Sequence, residues 1–120
     1  MPKVLIVDDA KLMRTIIKNS LKDLNDFTFL EAENGNDAID VYKITKPDLV
    51  TMDITMDFKN GVEAAREIIN FDPNANIIMV TAMGQEKMLK ECIALGVKDF
   101  IVKPFDKERI VAAVKNALKL

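Results

Sequence analysis

Five short apolar runs punctuate the chain: Val4-Leu5-Ile6-Val7, Phe27-Thr28-Phe29-Leu30, Leu49-Val50-Thr51-Met52, Ile77-Ile78-Met79-Val80 and Phe100-Ile101-Val102. Each is rich in β-branched or aromatic side chains and is bounded by Asp, Asn, Gly or Pro, which marks buried strand rather than helix. Between the runs, apolar residues recur at helical spacing: Met13, Ile16, Ile17, Leu21 and Leu24; Ala38, Ile39 and Tyr42; Val62, Ala65, Ile68 and Ile69; Leu89, Cys92 and Ile93; Val111, Val114 and Leu118. One face of each intervening segment is therefore apolar. Asn25, Lys46-Pro47, Asp72-Pro73 and Gly96 supply stop signals for the first four helices. The expected order is βαβαβαβαβα.

Strict alternation with short links implies right-handed crossovers and a parallel sheet with helices on both faces. The run holding Thr28 and Glu31 is the least apolar and the Phe100 run is among the shortest, so these two are placed at the edges. The fold class expected is α/β, a flavodoxin-like doubly wound five-stranded parallel sheet of order 2-1-3-4-5 with five helices, a three-layer sandwich. With 120 residues, one domain spanning 1–120 is expected.

Composition narrows the chemistry. Apolar residues make up 49% and charged residues 30%, a globular balance. Seventeen basic against nineteen acidic residues leave a formal charge of −2, so no global basic field holds nucleic acid or an anionic membrane. Histidine is absent, which removes imidazole general acid/base catalysis, Ser-His and Cys-His nucleophile pairs and phosphohistidine carried on this chain. Cys92 is the lone cysteine, so no intrachain disulfide forms and a reducing compartment is expected. The start, Met1-Pro2-Lys3, shows no signal-peptide pattern, and no apolar stretch approaches the ~20 residues that span a bilayer. A soluble, cytoplasmic monomer is the expectation.

In an open parallel sheet the ligand crevice lies beyond the carboxyl ends of the strands. There the first run is followed by Asp8-Asp9, the third by Asp53, the fourth by Thr81-Ala82 and the fifth by Lys103-Pro104. Like charges at this spacing repel by several kcal/mol at an effective dielectric of ~20, so three carboxylates call for protonation, solvation or a cation. Oxygen donors that leave room for several waters suit Mg²⁺. Charge balance agrees: the three carboxylates are neutralised by one divalent ion and the Lys103 ammonium. With the Asp53 carboxylate replaced by an acyl phosphate of charge about −2 the sum stays near neutral, and Lys103 and Thr81 stand where they can contact phosphate oxygens. An Asp accepts a phosphoryl group where a metal and an amine neutralise the in-line transition state.

The segments Val4-Leu5-Ile6-Val7-Asp8-Asp9, Met13-Arg14, Met52-Asp53-Ile54-Thr55-Met56 with Gly61, Thr81-Ala82-Met83-Gly84 and Phe100-Ile101-Val102-Lys103-Pro104-Phe105 stand in order at domain spacing. Over essentially the full chain they resemble the receiver domain of two-component response regulators, and within that family the single-domain chemotaxis type. The resemblance implies phosphorylation on Asp53 by a histidine kinase of the CheA type. It implies Mg²⁺ (or Mn²⁺) held by Asp9, Asp53 and the Thr55 carbonyl, with Asp8 helping through water. Phosphate contacts fall to the Thr81 hydroxyl, the Ala82 N–H and the Lys103 ammonium. Phe100 falls at the family's switch aromatic, although an edge-strand aromatic is also ordinary packing. The output face is that of the fourth helix, fifth strand and fifth helix, which binds a flagellar motor switch protein or an archaellum adaptor; a phosphatase is a further possible partner. The protein is then a signalling protein that catalyses only its own phosphoryl acceptance and loss. Alternatives within the family are a phosphorelay intermediate that passes the group to another protein's histidine and a receiver of a non-chemotaxis pathway. The chain begins just before the first strand and ends with the fifth helix, so no attached output domain is expected.

One departure stands out: the family usually carries Pro four residues after the acceptor, where this chain has Asp57. A fourth carboxylate there either raises cation affinity, burdens the phosphorylated state, or faces solvent. Thr55 and Met83 fall where water access to the phosphate is tuned. Two other functions of the same fold class fit less well. An FMN-binding first loop cradles phosphate with hydroxyls and N–H groups, and Asp8-Asp9 would repel it. A Mg²⁺-dependent aspartyl phosphatase needs a carboxylate two residues after the nucleophile, where Thr55 stands.

Overall fold

The computed structural model describes residues 2–56, 59–82 and 84–120; Asp57 and Met83 lie outside the described residues. The chain runs β1 (Lys3–Val7), α1 (Lys11–Leu21), β2 (Thr28–Ala32), α2 (Gly35–Thr45), β3 (Leu49–Met52), α3 (Gly61–Phe71), β4 (Ile77–Thr81), α4 (Glu86–Leu95), β5 (Asp99–Val102) and α5 (Lys107–Leu118). The strands pair in parallel in the order β2-β1-β3-β4-β5, so the expected topology and both expected edges are observed.

Alternation along each central strand divides the interior in two. Leu5, Val7, Val50, Met52, Ile77 and Met79 point to one face, against Ala38, Tyr42, Val62, Ala65 and Ile68 of α2 and α3 and Cys92 of α4. Val4, Ile6, Leu49, Ile78, Val80 and Ile101 point to the other, against Ile17 and Leu21 of α1 and Ile110, Ala113 and Val114 of α5. A strand sandwiched between helices must be apolar on both sides, which is why these runs are continuous rather than alternating.

Local signals place the helix ends. Asn34, Asn60 and Asp106 accept the backbone N–H of Asp37, Glu63 and Arg109 at 2.9, 3.0 and 2.9 Å, three side-chain N-caps for α2, α3 and α5. Gly96 closes α4 at φ 103°, a left-handed conformation that glycine takes without strain.

Two details differ from the pattern read in the sequence. In α1 the helix ends at Leu21, with the Lys22 N–H bonded to the Lys18 carbonyl, so Leu24 and the Asn25 stop lie beyond it. Its buried stripe runs Arg14, Ile17, Leu21, and Ile16, expected inward, is 40% exposed. The charged Arg14 takes an inward place that an apolar count passes over. In α4 only Cys92 is buried, while Ile93 is 59% exposed; this helix covers the end of the sheet beside the edge strand β5, so it needs a narrower apolar stripe than a central helix.

Candidate functional site

The parallel register brings the strand ends level. Val7 pairs with Met52, and Thr81 with Val102, so the residues that follow β1, β3 and β5 meet the last residue of β4 on one rim. Asp8, Asp9 and Asp53 each present an oxygen within 4.8 Å of the others. Asp8 and Asp53 are buried and Asp9 is exposed. The Lys103 ammonium enters between them, 2.7 Å from Asp8 Oδ2 and 3.7 Å from Asp53 Oδ2. Thr81 is fully buried at the end of β4, while Thr55 and Ala82 are exposed at the mouth. Phe100, half-buried on β5, packs on the α2–α3–α4 side of the sheet.

Backbone contacts set the carboxylates. The Asp8 N–H donates to the Ala32 carbonyl at 3.1 Å, and its Oδ1 accepts the Ala10 N–H at 2.9 Å. Asp8 therefore stands two residues ahead of the N-cap of α1, which is Ala10 and has no side-chain cap. The Asp53 N–H donates to the Val7 carbonyl at 3.0 Å, and Asp53 Oδ1 accepts the Ile54 N–H at 2.8 Å. From the far side α3 presses on the same peptide: the Gly61 N–H donates to the Ile54 carbonyl at 2.9 Å, and a Cβ on Gly61 would stand 1.9 Å from the Asp53 carbonyl oxygen. Only a glycine permits that approach.

A model of the response regulator receiver domain matches residues 4–115. The chain belongs to the receiver domain family. This receiver is 51% identical over 118 residues to Protein CcdB of Bacillus subtilis, covering 98% of each chain. It is 50% identical over 119 residues to the chemotaxis protein CheY of Listeria monocytogenes, covering 99% of this chain and all of that protein. Its fold is similar to a chain in the crystal structure of the CheX-CheY-BeF3-Mg+2 complex from Borrelia burgdorferi, with a TM-score of 0.91 and 35% identity over 96% of this chain and 87% of that one.

The donor set of the receiver site fits a hard divalent cation: oxygen donors only, two of them buried, with a single ammonium for three carboxylates. Burial pushes the Asp53 carboxyl above the ordinary carboxylate range; Lys103 pulls it down, and Asp8 and then Asp9 push it back up, with the Ile54 N–H lowering it in between. Lys103 thus only partly offsets what burial and like charge impose. Among the described residues no helix is long and apolar enough to cross a membrane.

Two contributors escaped the sequence reading. Gly61 appeared only as part of a motif, and its close approach to Asp53 depends on how α3 docks. Arg14 also stood in a motif without a role, yet its side chain is 8% exposed and its Nη1 donates to the Asp8 carbonyl at 2.7 Å. Its spacing of three and seven from Ile17 and Leu21 was the available signal.

Proposed function

We propose that this chain is a chemotaxis-type response regulator, phosphorylated on Asp53 by a histidine kinase of the CheA type and read out through binding. The observation that carries the proposal is the convergence of Asp8, Asp9 and Asp53 around Lys103 at the carboxyl ends of the strands. Its resemblance at half of all positions to a protein named CheY supports the chemotaxis assignment.

In the reaction, an Asp53 carboxylate oxygen attacks the phosphorus of the donor's phosphohistidine. The new O–P bond forms as the P–N bond breaks, and the electron pair leaves with the kinase's imidazole. Asp9, Asp53 and the Thr55 carbonyl would hold Mg²⁺ directly and Asp8 through water, and the bound ion supplies charge neutralisation at the phosphoryl oxygens. Lys103, already level with Asp53, supplies a second cation. The Thr81 hydroxyl and Ala82 N–H donate to the phosphate, and Phe100 turns further inward as Thr81 moves. The resulting shift between two packings alters the face of α4, β5 and α5, the surface for a motor switch protein or archaellum adaptor. The CheX-CheY complex of the Borrelia neighbour supports a protein of the CheX kind among the partners, and a phosphatase is a further partner class of this reading.

Intact mass after incubation with Mg²⁺ and a small acyl phosphate tests the acceptor. Wild type should gain one phosphoryl group and Asp53→Asn none; equal labelling of the two, or no labelling of either, refutes the assignment. A pull-down with a beryllofluoride-treated sample then separates a motility component from a phosphotransfer protein as partner.

A further inference from the structure

We propose that Arg14 is a positioning residue for the cation site, holding the Asp8–Asp9 peptide so that Asp9 faces Asp53; this rests on the receiver reading above. The Arg14 guanidinium is spent on three acceptors. Nη1 donates to the Asp8 carbonyl at 2.7 Å, Nε to Glu31 Oε1 at 2.8 Å, and Nη2 lies 3.7 Å from Glu33 Oε1. Glu31 is itself held from its other oxygen by Lys18 Nζ at 3.1 Å. The guanidinium is therefore fixed in plane by β2 and α1 before it reaches the loop.

The consequence falls on Asp9. Every polar group of Asp8 is tied: its N–H to Ala32, its carbonyl to Arg14, its two carboxylate oxygens to Ala10 and Lys103. The Asp9 carboxylate is exposed, and among the described residues no protein donor holds it. Its aim is set only by the backbone before it, and the Asp8 carbonyl defines the plane of the Asp8–Asp9 peptide. A charge-assisted bond from a buried, planar donor fixes that plane more firmly than water would. A simple tie between α1 and β2 would need only the Arg14–Glu31 pair, which Lys18 already duplicates; the bond to the Asp8 carbonyl adds nothing to that tie and acts on the site.

The test is Mg²⁺ binding by calorimetry to the metal-free full chain, together with the Mg²⁺ dependence of phosphorylation by a small acyl phosphate. Variants are Arg14→Met, Arg14→Lys, and Ile17→Val as a control for lost stability in the same helix. Groups that orient a metal ligand typically contribute about 10-fold to 100-fold in affinity. Arg14→Met should raise the half-saturating Mg²⁺ concentration about 10-fold while leaving the rate at saturating Mg²⁺ close to wild type, since Asp53 and Lys103 are untouched. Arg14→Lys should move the same way, because one ammonium cannot serve both Glu31 and the Asp8 carbonyl, and it serves alone if Arg14→Met does not fold. Ile17→Val should bind as wild type. Wild-type affinity in the Arg14 variants overturns the inference while the receiver reading stands, and so does weakening shared with Ile17→Val. Failure of wild type to bind Mg²⁺ overturns the receiver reading and the inference with it.

Discussion

Asp53 sits almost out of water, beside two further carboxylates and one ammonium. Its carboxyl is raised in the folded chain, first by burial, so the native state holds this proton more tightly than the unfolded state does. By linkage, stability then falls as pH climbs from the unfolded value near ~3.9 through the raised native one. Asp53→Asn removes that fall. The variant is expected to be more stable than the metal-free wild type at pH 7, because it removes a buried charge that also faces two like charges. The difference should shrink toward zero near pH 4, and urea denaturation at several pH values measures it. Asp99 and Glu31 shift the opposite way, held down by Arg109 and by Arg14, but they are common to both proteins and cancel. A variant no more stable than wild type at pH 7 would mean that Lys103 neutralises Asp53 fully. At this scale the sequence was legible where topology forces a residue to a strand end, as with Asp8, Asp9, Asp53, Thr81 and Lys103. That Lys103 lies nearer to Asp8 than to Asp53 was not, because a long lysine stem reaches either.

Elements fix how firmly those residues are aimed. The end of β3 is braced by β1 on one side and by the first residue of α3 on the other, and Gly61 makes the second contact with no room for a methyl group. Gly61→Ala should therefore push α3 away from the Asp53 peptide. The expected cost is about 3 kcal/mol, at the upper end for overpacking a tight contact, with slower phosphorylation at saturating Mg²⁺. Gly35→Ala offers a comparison: its added carbon would meet the Lys59 carbonyl at 2.6 Å, away from Asp53, so it should lose stability without the same loss of rate. Equal rate losses in both would assign the effect to general destabilisation. The five helices and their order followed from periodicity, since each must cover a sheet face, but their rotational phase did not. In α1 an arginine shares the buried stripe with Ile17 and Leu21, and in α4 a helix at the sheet's edge needs only Cys92 inside. Apolar counting assumes that inward means apolar and that each helix buries equal width, and the two misplaced residues, Ile16 and Ile93, are those where one assumption fails.

For the whole molecule, the two apolar clusters on either side of the sheet hold it from both faces, and the first runs past the end of β3 to Ile54, next to Asp53 at the rim where the carboxylates stand. The stable interior and the repulsive site are therefore joined through short strand ends, and relief of charge at the rim acts on the fold as a unit. A cation that binds only the folded chain stabilises it by RT ln(1 + [Mg²⁺]/Kd), about 2.7 kcal/mol at a hundredfold excess over Kd. For a chain of this size that corresponds to a rise in Tm on the order of 10 °C. Added NaCl at matched ionic strength should give little of it, because screening weakens exposed pairs but supplies no ligand to a buried one. Asp53→Asn, already relieved of one charge, should start higher and respond less; Asp9→Asn should start near wild type and also respond less. The Mg²⁺ response of wild type should diminish as pH falls toward the raised range of Asp53, where a proton competes for the same oxygens. Thermal scans across Mg²⁺ concentration and pH decide the matter. A rise that NaCl reproduces, or that survives in both variants, would place the stabilising charge effect on the outer surface instead of at the Asp8–Asp9–Asp53 rim.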